Sequence, residues 1–409
     1  MNNCWERHHL SDLFEIGSSK RILKAQWQSA GVPFYRGREI TMLGQRGTVD
    51  NELFIDEGLY EDLASKYGVP KPGDIMVTAI GTIGNAYLVQ PGDRFYFKDA
   101  SVLWMSTRGV VDSRFVHYWI TSRSFRDQLD VGNGATVDTL TIQKLQAARI
   151  STPPLLEQRR IVTILDEAFE AIATAKANTE RNLANAREAF ERVLEHLCFC
   201  STADAQTCSL EEVCEIRSTL VDPRLPSHID APHVGAGNIE AGSGRLQNVL
   251  TAREEGLISG KFAFTRGTVL YSKIRPYLRK VARPEFDGLC SADIYPLDPI
   301  EQRTTRDFLF YLLLTSDFTA YAERGSARAG MPKVNRDHLF AYRFPLPPLA
   351  TQRTIAGKLD EIREQSEALT TMFASKLTAL DELKQSLLHQ AFTGALTSKS
   401  TDQQLQAVA

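Results

Sequence analysis

The chain repeats itself, and the repeat limits its fold more than any other feature. Fifteen residues from Pro153 to Glu167, PPLLEQRRIVTILDE, return from Pro347 to Glu361 as PPLATQRTIAGKLDE with nine positions identical; average composition would give roughly one. The same displacement of 194 residues lays GDIMVTAIGTIGNAYLV (Gly73 to Val89) over GTVLYSKIRPYLRKVAR (Gly267 to Arg283) without a gap. Both pieces alternate like half-buried strands on either side of a tight loop. Nearer the start, LSDLFEI (Leu10 to Ile16) resembles LEEVCEI (Leu210 to Ile216) at a displacement of 200. One duplicated unit of about 200 residues accounts for all three matches.

Each copy has two textures. Residues 1–152 and 201–346 are rich in Gly, aromatic and β-branched residues, with strand-like runs broken by turns such as Pro91-Gly92-Asp93. Helical stretches are expected within them over Arg114 to Leu129 and Asp307 to Glu323, giving two α+β domains. By contrast, residues 155–198 contain no Gly or Pro, and apolar or small residues recur at spacings of three and four from Ile161, Leu165, Ala168 and Ile172 to Leu197. The second copy runs from Ile355, Leu359 and Ile362 through Leu369 and Leu383 to Ala391. Each stripe predicts a helix on the order of 40 residues and about 60 Å. Pro154 and Pro348 suit helix starts, and Gly394 suits a helix end.

A lone striped helix has nothing to bury against, whereas two related stripes can pack as an antiparallel coiled coil. The expected architecture is therefore α+β, with an internal pseudo-twofold duplication: domains at 1–152 and 201–346, long helices at 153–200 and 347–396, and a flexible tail at 397–409. Phe169, Ile164, Met372 and Leu388 widen the apolar faces, leaving room for helices of another protein.

The formal net charge of −3 offers no global attraction for a polyanion, so any nucleic-acid role must rest on local patches. No run approaches the roughly 18 to 20 apolar residues of a membrane span, and the start MNNCWERHHLSD lacks a secretory signal's apolar stretch. The cytoplasm is the expected location, and the six cysteines are expected as thiols.

The sharpest patch is Lys261 to Arg283, which holds seven Lys and Arg and no acid, with Tyr271 and Tyr277 among them. Two readings stand for it: a phosphate-binding surface whose Arg forks reach guanine edges, or a solvated strand face with intra-domain ion pairs. The duplication favours the first. Weaker clusters are Lys20, Arg21 and Lys24; Arg36 and Arg38; Arg123 and Arg126; and Arg324, Arg328, Lys333 and Arg336. The loop at Gly132 to Thr136 corresponds to the one at Gly325 to Arg328.

No Walker A, dinucleotide, Asn-Pro-Pro-aromatic or H-E-x-x-H pattern occurs. Cys198, Cys200, Cys208 and Cys214 match no usual zinc spacing and read as structural or incidental thiols. Asp166-Glu167 and Asp360-Glu361 are expected to solvate a helix or salt-bridge a partner.

Two α+β domains, two repeated helices and the Pro-Pro-Leu-x-Glu-Gln helix start resemble the specificity (S) subunits of Type I restriction-modification systems, the HsdS family; LLHQAFTGAL (Leu387 to Leu396) is similar to their usual end. The resemblance implies a non-catalytic chain with two target recognition domains, each reading half of a bipartite, asymmetric site in double-stranded DNA. On it, the DNA-binding candidates are Lys20, Arg21, Arg36, Arg38, Thr82, Asn85, Lys273, Arg275, Tyr277, Arg279, Lys280, Arg328 and Lys333. The helices would set the spacing and dock two modification (M) subunits, with Glu157, Gln158, Phe169, Gln352, Arg353 and Met372 as partner-binding candidates. S-adenosylmethionine would be bound in the M subunits, ATP and magnesium in a restriction (R) subunit, and no cofactor or metal by this chain. An enzyme with an unrecognised site, or an adaptor that never touches DNA, are the alternatives from other classes.

Overall fold

The computed structural model describes residues 5–129, 139–200, 205–326 and 332–397. The loop at 132–136, Arg328 and all of the tail but residue 397 lie outside them. Two compact units emerge, one of residues 1–178 with 376–409, the other of residues 179–375. The division cuts through both long helices, so each unit holds one α+β domain and half of each helix.

In the first unit β1 (Glu6–His9), α1 (Leu10–Leu13), β2 (Phe14–Gly17), β3 (Val32–Tyr35), α2 (Gly37–Arg46), β4 (Phe54–Ile55), α3 (Glu57–Tyr67), β5 (Ile75–Thr78), β6 (Ala86–Leu88), β7 (Tyr96–Phe97), β8 (Val102–Thr107), α4 (Ser113–Thr121), α5 (Arg123–Leu129), α6 (Ile142–Ala147) and β9 (Arg149–Thr152) precede the long helix α7 (Leu155–Glu195). Four antiparallel strands run in the order β2-β8-β5-β6, a second sheet runs β4-β3-β7 with β3 parallel to β7, and β1 pairs with β9.

The second unit repeats this plan. Its elements are β10 (Gln206–Ser209), β11 (Cys214–Ile216), β12 (Leu220–Val221), β13 (Pro232–Val234), β14 (Leu250–Thr251), β15 (Lys261–Phe264), β16 (Val269–Ser272), β17 (Val281–Ala282), β18 (Gly288–Cys290), β19 (Ile294–Pro299), α8 (Arg306–Leu314), α9 (Ser316–Arg324), α10 (Arg336–Phe340), β20 (Arg343–Leu346) and α11 (Leu349–Thr393). The order β11-β19-β16-β17 matches the first unit strand for strand, and β10 pairs with β20 as β1 does with β9. The other sheet, β12-β15-β18-β13-β14, keeps the parallel pair β13-β18 but adds β12 and β15.

Each expected domain helix is broken in two. Ser122 and Thr315 leave the helical region with ψ of 161° and 151°. Thr315 gives its hydroxyl to the Leu312 carbonyl and accepts from the Phe318 amide, ending α8 and capping α9 with one side chain. The strands flanking the repeated loop are buried on both faces, not half-buried: all four residues of β5 and of β16 are inside, because helices cover one face.

Within the first unit α7 and α11 pack against each other. Ile161 and Leu165 share a core with Leu388 and Ala391, the Lys384 ammonium lies 5.0 Å from the Phe169 ring centroid, and Lys176 pairs with Asp381. Within the second, Leu194 shares a core with Ile355, Ala356 and Leu359, and the Ser366 hydroxyl meets the Ala186 carbonyl. Rising numbers on one helix meet falling numbers on the other, so the pairing is antiparallel in each unit.

Every stripe position from Ile161 to Leu197 is at least partly covered. On α11, however, Leu369 and Leu383 remain 42% and 47% exposed, while their neighbours Thr370 and Lys384 are half-buried. A stripe written with a period of about 3.5 drifts on a helix of about 3.6 residues per turn, and the covered place passes to the next residue. The helix ends as expected at Gly394, whose φ of +78° is left-handed.

Candidate nucleic-acid interface

The repeated strand-loop-strand has the same setting in both units. Between β5 and β6 the loop 79–85 is held when the Leu140 amide donates to the Ala79 carbonyl; between β16 and β17 the loop 273–280 is held when the Val334 amide donates to the Lys273 carbonyl. These bonds are related by the 194-residue displacement at both ends. Each loop is thereby clamped to the segment that follows the domain's second broken helix, α5 or α9.

In the first unit α2 lies across its loop. Gly44 makes that approach possible: a Cβ there would sit 2.4 Å from the Ala86 carbonyl oxygen of β6. Thr41 of α2 then meets the Thr82 hydroxyl at 3.1 Å and accepts from the Asn85 amide at 3.3 Å. Arg36, Arg38, Thr41, Ile80, Thr82 and Lys98 border an open hollow of about 460 Å³. Arg36, Arg38, Thr82 and Asn85 are thus brought together, and Thr41 and Lys98 join them unforeseen, because a lone Thr or Lys carries no motif.

Arg36 also supports the fold, since its backbone and guanidinium both donate to Glu39, which is 1% exposed. Burial alone would raise the Glu39 pKa, but the Arg36 bonds outweigh it and hold the carboxyl below its usual range. Arg38 pairs at 3.4 Å with Glu52 on the surface. Lys20 stands elsewhere, 4.8 Å from the Tyr67 ring centroid, with Arg21 exposed beside it in sequence.

In the second unit the loop is pinned more tightly and its charges are sorted. Lys261 is buried and donates to Ser259. Arg283 lies between Asp307 and Asp360 and over the rings of Phe310 and Tyr311. Arg279 donates to Glu191 of α7, and the Lys280 ammonium to the Ala236 carbonyl. Arg279 and Arg283 follow the ion-pair reading, Lys261 and Lys280 bond to uncharged groups instead, and Arg279 and Lys280, expected at DNA, are engaged within the chain. Lys273 lies 5.0 Å from the Tyr295 ring centroid, and burial, then the neighbouring Lys333, pull its pKa below the ordinary ammonium value. Lys333 is 3.9 Å from Asp293. Arg275 is exposed, and its guanidinium has no partner among the described residues; Tyr277 is 53% exposed.

The repeated helix starts have an internal purpose. Gln158 is 3% exposed; it accepts from the Asp112 amide and donates to the Pro153 carbonyl. Gln352 is wholly buried; it accepts from the Thr305 amide and the Thr304 hydroxyl and donates to the Arg303 and Pro347 carbonyls. Both glutamines, expected to face a partner, instead lock a long helix to the start of α4 or α8. Asp166 likewise accepts from Tyr118 and Arg114, and Asp360 from Tyr311 and Arg283, so these acids grip their own domains. Among the other partner candidates Arg353 is exposed, Met372 is 53% exposed, Phe169 is half-buried edge-on to Tyr118, and Glu157 lies 4.0 Å from Arg160.

Cys198, Cys208 and Cys214 are free and buried, and burial raises all three thiols, Cys208 to about 11 and Cys198 to about 12. No cluster of His, Cys, Asp and Glu fit for a metal occurs among the described residues, and no helix of theirs is long and apolar enough to cross a membrane.

The family model described as "Type I restriction modification DNA specificity domain" matches residues 2–182 and again 203–374. The chain belongs to this family. Over 192 residues it is 35% identical to the type I restriction enzyme EcoDI specificity subunit of Escherichia coli; the match takes in 46% of this chain but only 41% of that relative. A chain from a structural study of complex assembly and conformational transition in the type I R-M system superposes with a TM-score of 0.75 at 19% identity, covering 96% of this chain and 98% of that one. The HsdS subunit from Thermoanaerobacter tengcongensis gives 0.57 at 19% identity, over 96% and 97%. At such identity the two solved structures speak for the fold.

Proposed function

We propose that this chain is the sequence-specific DNA-binding specificity subunit of a type I restriction-modification complex. Each α+β domain reads one half of a bipartite, asymmetric site in double-stranded DNA. The chain is cytoplasmic and non-catalytic; S-adenosylmethionine and the methylation chemistry belong to two M subunits, and ATP and magnesium to an R subunit where one is present.

The observation that carries this reading is the pair of loops, 79–85 and 273–280, at equivalent strand junctions and under equivalent clamps, each with cationic side chains nearby. A duplicated scaffold with divergent loops is what two different half-sites require, since base edges are read by side chains while phosphates position the protein. The antiparallel helices act as spacer, with half-site centres roughly 34 Å apart. Leu369 and Met372, exposed on α11, support docking of M-subunit helices.

Mapping methyladenine in the host genome with and without this gene tests the reading. Loss of one two-part motif is the expected result; an unchanged methylome refutes it. Removing seven residues from each helix in matched register should shorten the recognised gap by about 10 Å, or roughly three base pairs.

A further inference from the structure

Arg275 differs from every other cation of its loop. Lys273 is drawn over Tyr295, Arg279 to Glu191 and Lys280 to the Ala236 carbonyl, whereas the Arg275 guanidinium is exposed and unengaged among the described residues. Its backbone is fixed on both sides. The Arg275 amide donates to the Pro332 carbonyl at 3.0 Å, its carbonyl accepts from the Leu278 amide at 3.0 Å, and the following Pro276 is buried. Its φ of +52° is left-handed, a conformation that costs a non-glycine residue free energy and persists only where its surroundings impose it. Arg279 of the same loop is left-handed too, with φ of +47°. The loop thus holds strain at two arginines, one tied to Glu191 and one, Arg275, unengaged among the described residues. The matching loop of the first unit, Ala79 to Asn85, carries no charge at all.

We infer that Arg275 reads a guanine, so that the half-site recognised by the second unit contains a G·C pair contacted by this side chain, while the first unit's half-site is read without an arginine in the corresponding loop. The inference rests on the DNA-recognition reading above. A guanidinium fork matches the O6 and N7 acceptors of guanine in the major groove, and a backbone already held in place leaves only the side chain to be ordered on contact. Lys273 and Lys333 flank it and supply positive potential, reduced by Asp293. Arg279 then acts as a strut: it ties the loop to α7 through Glu191 and stays off the DNA.

The test uses the full chain assembled with its modification subunits, carrying Arg275→Gly or Arg275→Lys. Glycine relieves the left-handed backbone and so keeps the loop folded; lysine keeps the charge but cannot form the fork. Methyladenine mapping and competition binding with single-base-pair variants of the wild-type site are the readouts. Both substitutions are expected to relax one G·C position in one half of the motif by roughly 5- to 100-fold, leaving the other half unchanged. If lysine behaves as wild type while glycine weakens all duplexes equally and lowers the salt slope by about one, Arg275 is a phosphate contact and the inference falls. It also falls if the relaxed position is not G·C. Failure of the unsubstituted complex to select any two-part site would instead defeat the underlying reading.

Discussion

Replacing Gln158 by Met tests whether the repeated glutamine clamps the chain or faces a partner. Methionine nearly fills the same volume, so no large cavity contributes, and the loss is one of polar pairing. The Asp112 amide and the Pro153 carbonyl, bonded to Gln158 at 2.9 and 2.8 Å, would both lose their partner. Each unsatisfied buried group costs about 1 to 3 kcal/mol. A hollow bordered by Pro153, Pro154 and Gln158 lets water relieve part of this, so about 2 kcal/mol is expected. All four tryptophans, Trp5, Trp27, Trp104 and Trp119, belong to the first unit, and their fluorescence in a urea titration reports on it directly. With a slope of about 2 to 3 kcal/mol per molar, the midpoint should fall by roughly 0.7 to 1 M. A shift under about 0.2 M, with M-subunit binding weakened instead, would refute the clamp and restore the partner-facing role.

Burial beside the Ala86 carbonyl holds the His117 pKa down near 4. The unfolded chain therefore takes up this proton first, and stability is lost as pH falls from about 6.5 through about 4; His117→Gln should remove about 2 to 3 kcal/mol of the difference between pH 7 and pH 4, read by tryptophan fluorescence. Asp360→Asn leaves Arg283 with Asp307 as its remaining carboxylate and should cost about 1 to 2 kcal/mol by circular dichroism, the exposure of both acids keeping the figure low; no loss would mean that the pair is idle. Met372→Asp should leave thermal unfolding unchanged while weakening M-subunit binding about tenfold or more in a titration. Equal binding would move the docking surface elsewhere.

The fold was legible where periodicity reports burial directly. The stripe of α7, the helix end at Gly394 and the duplicated plan follow from spacing, while the stripe of α11 slips at Leu369 and Leu383. The break at Thr315 was not, because a threonine that caps one helix while ending another leaves the apolar pattern continuous across it. At the candidate site the sequence located the loops but could not sort their charges. Which of Arg275, Arg279 and Lys280 stays free depends on Glu191 and Ala236, which lie far away in the chain. The same limit made Gln158 and Gln352 look like a docking motif. Repetition marks a shared role, and only burial reveals that the role is internal.

Each domain enters and leaves through a single antiparallel ribbon: Glu6 sits opposite Thr152, and Gln206 opposite Leu346. A module whose two ends lie side by side is a cassette. It can be cut out and another inserted across the same seam, provided that the newcomer offers a matching ribbon and the groups that grip the glutamine. If each half reads DNA as proposed, new target words arise by exchange of whole halves, without waiting for point changes to rebuild a loop.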